Sequence, residues 1–181
     1  MKCGLIGRNL SHSYSKLIHS MLGNYEYELC NVCPEELENF IKLGDFRGFN
    51  VTMPYKKTVM KYCNELDDNA RRVGSVNTLV FENGVLKGYN TDYFGLKYAL
   101  NRSGVRLKNK KVIILGNGGV SATVQALAHD LGAKEVLVCS SRSDFNYKNI
   151  YDRSDAEIII NATPVGMYPR SEEKLIVTGP I

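Results

Sequence analysis

No apolar run in these 181 residues approaches the roughly 20 that a helix needs to cross a bilayer. The longest, such as Val112 to Leu115 and Ile158 to Ile160, have the length of buried strands, so no membrane helix is expected. The amino terminus carries one Lys and then CGLIGRNLSHS, which lacks a secretory apolar core and a small-residue cleavage site; a cytoplasmic location is expected. Clustered basic residues are scarce as well. Arg71 and Arg72, and the RLKNKK stretch at 106–111, are short and separate, and the net charge is only +4, so no nucleic-acid-binding stripe is expected. A mild positive balance suits an anionic small substrate and plain solubility equally well. Of the five cysteines, only Cys30 and Cys33 form a C-x-x-C; with no second pair and no His at ligand spacing, reduced structural thiols are expected and no metal. His12, His19 and His129 form no metal-spaced pair, and structural or exposed roles are expected of them. Repeats of solenoid period and low-complexity tracts are absent.

What is present has the composition of an ordinary globular chain, 44% hydrophobic and 23% charged, long enough for one large domain or two small ones. Two regions with different patterning meet near 99–109, giving an expected division into residues 1–100 and 101–181. In the first, KCGLIGR reads as a strand, SYSKLIHSMLG as a helix from a Ser cap to Gly23, and YEYELC as an alternating strand. EELENFIKL reads as a helix stopped by Gly44, RGFNVT as a strand, and 55–62 and 65–73 as helices. SVNTLVFENGVLKGYN reads as a hairpin turning at Asn83-Gly84, a dipeptide suited to a type I′ turn, and Asp92 opens a helix.

The second region opens with KKVIILGNGGVSATVQALAHDLGAKEVLVCSSRS, a strand, a glycine turn, a helix and a second strand, followed by a third strand at AEIIINATP. Gly116, Gly118 and Gly119 stand between strand and helix, where glycines allow a tight turn and close approach of a pyrophosphate to the helix N-terminus. Dinucleotide binding is the reading, with a structural turn in an unrelated βαβ unit as the alternative. An NAD site usually ends its second strand with a carboxylate for the ribose. Here the strand ends in hydroxyls and Arg142, which can pair with a 2′-phosphate, so NADP is favoured; Asp144 keeps NAD open.

The stretch GFNVTMPYKK, Gly48 to Lys57, ends a strand in a hydroxyl, a rigid turn former and a potential acid/base group. Taken alone it also reads as a strand followed by solvated lysines. Ser13 and Asp92 could equally cap helices, Asn77 could satisfy backbone in the hairpin, and Asn90 could brace a strand end.

Together, HSYS at 12–15, NVTMPYK at 50–56, SVNTL at 75–79, GYNTD at 88–92, GNGG at 116–119 and NATPVGM at 161–167 resemble the shikimate dehydrogenase family along nearly the whole chain. The resemblance implies an α/β protein with an amino-terminal substrate domain and a Rossmann-like NADP-binding domain, and substrate in a cleft between them. It implies NADP-linked, reversible reduction of 3-dehydroshikimate to shikimate in aromatic amino acid (chorismate) biosynthesis. By the same resemblance, Ser13 and Ser15 match the hydroxyls that hold the substrate carboxylate. Thr52, Asn77 and Asp92 match groups on the ring hydroxyls, and Lys56 matches the catalytic lysine, with Asp92 beside it. Ser141, Arg142 and Thr163 fall on the cofactor side. Hydride transfer to a ketone leaves an alkoxide that needs a proton, which a lysine at hydrogen-bond distance can supply. True base and electrostatic handle are both open roles for Lys56.

Three positions depart from the family pattern: Lys16 stands for a Pro, Tyr93 for a small residue beside Asp92, and Ser141-Arg142-Ser143 for Asn-Arg-Thr. The chain also ends about where the first half of a doubly wound sheet would be complete. The expectation is weak cofactor binding, poor turnover and a sheet edge prone to self-association. A broader quinate/shikimate dehydrogenase and a noncatalytic substrate-binding relative are the alternative functions.

Overall fold

Two segments of like pattern, Lys2–Gly7 (β1) and Glu26–Asn31 (β2), pair in parallel because the helix Ser15–Leu22 (α1) crosses between them. The computed structural model describes residues 1–43, 45–168, 171–174 and 177. They fall into two compact units, Met1–Thr91 and Asp92–Ile181.

In the first unit β1 lies between β2 and Gly48–Val51 (β3), parallel to both. The hairpin Thr78–Glu82 (β5) and Val85–Tyr89 (β6) adds antiparallel to β3, and the two-residue strand Glu65–Leu66 (β4) closes the sheet parallel to β6. The order is β2-β1-β3-β5-β6-β4. Asn83 and Gly84 both have positive φ, 52° and 78°, as a type I′ turn demands. Phe49 and Val51 point from β3 into a core with Ile6, Leu79 and Leu86, closed by Leu37 and Ile41 of the helix Leu37–Leu43 (α2). Those two residues are four apart and so share a helix face. The opposite sheet face carries Leu5, Leu10 and Tyr27. The Gly44 stop lies outside the described residues. Gly23 follows the last residue of α1, as expected, but its backbone is extended.

The sequence expectation of two helices over 55–62 and 65–73 is corrected. Thr58–Tyr62 is a 3-10 turn, and Glu65–Leu66 is strand. The helix Asp68–Val73 (α3) starts only at its cap, where the Asp67 carboxylate accepts the Ala70 N–H at 2.8 Å. It ends at Gly74, whose φ of 68° suits a left-handed cap.

The second unit begins with Asp92–Ser103 (α4). Leu96 and Leu100 of α4 pack with Val124 and Ala128 of Gly119–Asp130 (α5) against Val112 and Ile114 of Lys111–Leu115 (β7). That packing counts α4 with this unit, whereas the sequence places the join at 100/101. β7 is buried throughout, as a central parallel strand must be, and is flanked by Glu135–Cys139 (β8) and Ile158–Asn161 (β9), both parallel to it. Tyr93 buries its ring, and its hydroxyl donates to Asp130 at the end of α5. The buried Lys111 donates to Asp155 at 2.8 Å and lies 3.2 Å from Glu135. Among the described residues, no helix is long and apolar enough to cross a membrane, and no His, Cys, Asp and Glu cluster could hold a metal.

Candidate functional site

In the first unit, β1 and β3 run parallel and end together: the Thr52 N–H donates to the Ile6 carbonyl at 2.9 Å and the Arg8 N–H to Met53 at 3.2 Å. β5 runs the other way, so its start meets the end of β3, and the Val51 N–H donates to the Asn77 carbonyl at 2.8 Å. The sheet thus gathers Thr52 and Asn77 at one end although 25 residues of sequence part them. The Asn77 side chain reaches across to the end of β6. Its Nδ2 donates to Thr91 Oγ1 at 2.9 Å, and its Oδ1 accepts the Thr91 N–H at 2.9 Å. Thr91, which the sequence reading does not single out, therefore belongs to the same end. Asn90 braces it from below: fully buried, it donates from Nδ2 to the Ser75 carbonyl and hydroxyl at 2.9 and 3.0 Å.

After Thr52 the chain passes a cis Met53–Pro54 bond and reaches two lysines with different surroundings. Tyr55 is buried and its hydroxyl donates to the Val32 carbonyl at 2.5 Å. Burial pushes its phenol up, so it remains a donor. The next carbonyl, that of Lys56, accepts the N–H of the buried Val76 at 2.8 Å. Lys56 is therefore half-buried on a backbone fixed from both sides, while Lys57 is exposed.

Ser15 is the first residue of α1, and the Ser13 hydroxyl accepts its N–H at 3.2 Å. The cap position of α1 is Tyr14, without a side-chain cap bond, so the expected Ser cap is corrected; accepting the Ser15 N–H leaves the Ser13 hydroxyl proton available to a ligand. Two hydroxyls at a helix start suit a carboxylate, which the helix dipole also favours. Behind the start of α1, the Tyr27 phenol donates to Asn50 Oδ1 at 2.7 Å. Asn50 was not singled out from sequence. The available signal is alternation: Phe49 and Val51 are apolar and buried, which puts Asn50 with Thr52 on the other face of β3. Asp92, half-buried, is the first residue of α4 and belongs to the second unit.

In that unit the carboxyl ends of β7, β8 and β9 again lie together. The Gly116 N–H donates to the Cys139 carbonyl at 2.8 Å and the Ala162 N–H to Leu115 at 2.9 Å. The strand order β8-β7-β9 makes this a topological switch point, where ligands of open α/β sheets bind. Gly116 has φ of 100°, and a Cβ there would come within 2.9 Å of Thr163 Cγ2 and 3.1 Å of the Ala162 oxygen. Glycine is required by both counts. At Gly118 and Gly119, by contrast, a Cβ would meet nothing within 4 Å, so the backbone opening α5 faces open space. That is the cradle a pyrophosphate needs. Beyond β8, Ser143 holds the turn: its hydroxyl donates to the Phe145 carbonyl at 2.6 Å and accepts the Ser140 N–H at 3.2 Å. Ser141 and Arg142 are left exposed at the tip. Thr163, after β9, donates to Asn161 Oδ1 at 2.7 Å. Glycine cradle, helix start and exposed guanidinium fit a dinucleotide carrying an extra phosphate.

Residues 5–79 match the model of the shikimate dehydrogenase substrate binding domain. The chain is 37% identical to the shikimate dehydrogenase (NADP(+)) of Methanococcus maripaludis over 96% of its own length and 72% of that relative's. A chorismate mutase/shikimate 5-dehydrogenase fusion protein from Clostridium acetobutylicum has a structure similar over 98% of this chain and 71% of that one, at 34% identity and a TM-score of 0.90. The Listeria monocytogenes shikimate 5-dehydrogenase, solved with shikimate and NAD, matches over 98% and 73% at 30% identity and a TM-score of 0.83. With a relative above 30% identity covered for more than two thirds of its length, and strand-end residues gathered as described, the chain belongs to the shikimate dehydrogenase family.

Proposed function

We propose that this chain is an NADP-linked shikimate dehydrogenase, interconverting shikimate and 3-dehydroshikimate in the cytoplasm. The observation that carries the reading is the fixed, half-buried Lys56 at the strand end that also presents Thr52, Asn77 and Thr91. The first unit takes the substrate: Ser13 and Ser15 hold its carboxylate at the start of α1, and Thr52 and Asn77 bind the ring hydroxyls. The second unit takes NADP. Gly116, Gly118 and Gly119 admit its pyrophosphate to the N-terminus of α5, Arg142 with Ser141 pairs its 2′-phosphate, and Thr163 lines the same crevice. Bound NADP supplies the hydride acceptor in the oxidative direction and the donor in the other.

Lys56 handles the proton. In the oxidative direction its neutral amine takes the proton of the reacting hydroxyl as the carbonyl forms. In the reductive direction its ammonium returns a proton to the developing alkoxide, a contribution of about 10²–10⁴ in rate for a placed acid/base. Asp92, the first residue of α4, is the further residue that the GYNTD motif assigns to the reacting hydroxyl.

The test is oxidation of shikimate followed by nicotinamide absorbance, with NADP and then NAD, for the chain and for Lys56→Ala and Lys57→Ala. Turnover with NADP that falls at least about a hundredfold in Lys56→Ala and stays unchanged in Lys57→Ala is expected. Equal rates for Lys56→Ala and the parent would overturn the role of Lys56; faster turnover of quinate than of shikimate would overturn the substrate.

A further inference from the structure

His19 lies one helical turn beyond Ser15 on α1 and stacks on Tyr27, with ring centroids 3.8 Å apart and planes 12° from parallel. Its Nδ1 shares a hydrogen bond of 2.5 Å with the Tyr25 hydroxyl, and the two rings meet edge to face. The imidazole is thus clamped: one partner sets its position over Tyr27 and the other sets its rotation. Tyr27 is buried and its hydroxyl donates to Asn50; Ser15, four residues before His19, shares the face of α1 that meets Tyr27. Burial raises the phenol's pKa, so the proton that orients Asn50 stays in place at ordinary pH. A chain of contacts therefore runs from Tyr25 through His19 and Tyr27 to Asn50, with Ser15 on the helix face that carries His19.

We propose that His19 is a positioning residue of the substrate site: by stacking on Tyr27 it fixes the phenol that holds Asn50 and against which the Ser15 face of α1 packs, and so sets the affinity for the substrate carboxylate. The inference rests on the reading of Ser15 as a carboxylate contact. His19 itself does not touch the reacting atoms. A ring stacked in register restricts where the phenol oxygen can go, and a helix face packed against a fixed ring presents its serine to a ligand with less freedom to shift.

The experiment is calorimetric titration of shikimate into the chain and into His19→Leu, His19→Phe, Tyr25→Phe, Ser15→Ala and the His19→Leu/Ser15→Ala pair. His19→Leu removes the stack and is expected to weaken shikimate about fivefold, the scale of one aromatic pair, while His19→Phe restores the stack and returns affinity to within about twofold. The double variant is expected to bind about as Ser15→Ala alone, because both changes act on one hydroxyl. NADP affinity should be the same in all, which a general loss of structure would not leave. Should His19→Leu fail to fold, Tyr25→Phe keeps both rings and loses only the bond that rotates the imidazole; about twofold weaker shikimate binding is then expected. Unchanged affinity in His19→Leu or, where that variant does not fold, in Tyr25→Phe overturns the proposal, as does strict additivity with Ser15→Ala. Loss in Ser15→Ala without loss at His19 or Tyr25 removes this inference alone. No shikimate binding by the parent chain, or none lost in Ser15→Ala, removes the functional reading and this inference with it.

Discussion

Three glycines of one turn are expected to fail in different ways when given a methyl group, and the difference separates what the turn needs in order to fold from what it needs in order to bind. At Gly116 an alanine would hold φ of 100° and place its Cβ 2.9 Å from Thr163 Cγ2 and 3.1 Å from the Ala162 oxygen. The backbone conformation costs about 1–3 kcal/mol and the overlap about 1 kcal/mol more, or ~2–4 kcal/mol in all. For a domain of this size that lowers the melting temperature of the second unit by about 10 °C or more. Gly118 has φ of −88° and ψ of −171°, open to any residue, and Gly119 is the first residue of α5. Neither Cβ meets anything within 4 Å, so Gly118→Ala leaves stability unchanged and Gly119→Ala gains up to ~1 kcal/mol of helix propensity. If the open space is where the pyrophosphate lies, each methyl displaces it and weakens a charge-assisted bond of ~1.5–3 kcal/mol, about 10–100-fold in NADP affinity. Thermal melts by circular dichroism and calorimetric NADP titration read the two quantities separately. Gly118→Ala and Gly119→Ala that both bind NADP as the parent does would refute the cradle. Gly116→Ala with an unchanged melting temperature would refute the geometry of the turn.

Arg142→Ala is expected to weaken NADP about tenfold or more while leaving NAD unaffected, and the loss should shrink in high salt; equal loss for both cofactors would refute the 2′-phosphate contact. Asp155 is held below its ordinary value of 3.8 chiefly by its hydrogen bond with Lys111, and Lys111 is raised above 10.5 chiefly by the same bond. The depressed carboxyl stabilises the fold above its unfolded value, and that stabilisation is lost as pH falls through its folded value. The raised amine stabilises below 10.5, and that contribution is lost as pH rises through its folded value. Asp155→Asn should therefore melt below the parent at pH 6, and the gap should narrow as the pH falls below 3.8; a gap that does not narrow in acid would refute the pair. Burial pushes the Cys30 and Cys63 thiols up to about 11, and Cys33 is exposed, so at pH 8 a thiol reagent should modify Cys33 well before those two. Cys63 reacting as fast as Cys33 would contradict the packing.

What could be read from the sequence, and what could not, divides by distance along the chain. The Asn83-Gly84 hairpin was legible because two consecutive positive φ angles leave few residue choices. The β7-turn-α5-β8 unit was legible because each part declares itself within a short window. β4 was not: two residues make no period, and that strand exists because the Asn64 N–H donates to Leu86 and the Asp67 N–H to Gly88, partners about twenty residues away. The helix reading over 65–73 starts early because Glu65-Leu66 carries no strand period of its own, and only the bond from the Ala70 N–H marks Asp67 as the cap. Ser13, Ser15, Thr52, Lys56 and Asn77 are candidates that ordered motifs point to, whereas Asn50, Thr91 and the Tyr27 phenol come to notice only through contacts 14 to 23 residues apart. Tyr93 was expected to bring bulk beside Asp92. Its ring is buried and its hydroxyl is spent on Asp130, a partner 37 residues on that no local pattern announces.

The two adjacent lysines show how the fold turns a common residue into a candidate catalyst. Nothing in the side chains of Lys56 and Lys57 differs, and in an unfolded chain both would be solvated cations. The distinction is made by their neighbours. Tyr55 and Val59 are four apart on one face of the turn, both buried, with the Val59 N–H donating to the Tyr55 carbonyl at 3.0 Å. Tyr55 is tied further to β2's exit through Val32, and the Lys56 carbonyl is tied to Val76 just ahead of β5. Three segments distant in sequence thus fix one peptide, and the side chain it carries emerges half-buried at the strand ends while the next one projects to solvent. Preorganisation of this kind has its cost met in folding, by core residues, so that a flexible four-carbon side chain has less freedom to lose when it meets substrate. It follows that loosening the peptide should cost catalysis without touching the amine. Tyr55→Phe removes only the bond to the Val32 carbonyl, for about 1–2 kcal/mol of stability, and should lower kcat while Lys57→Ala does not. Unchanged kcat in Tyr55→Phe would show that the lysine finds its place without the anchor.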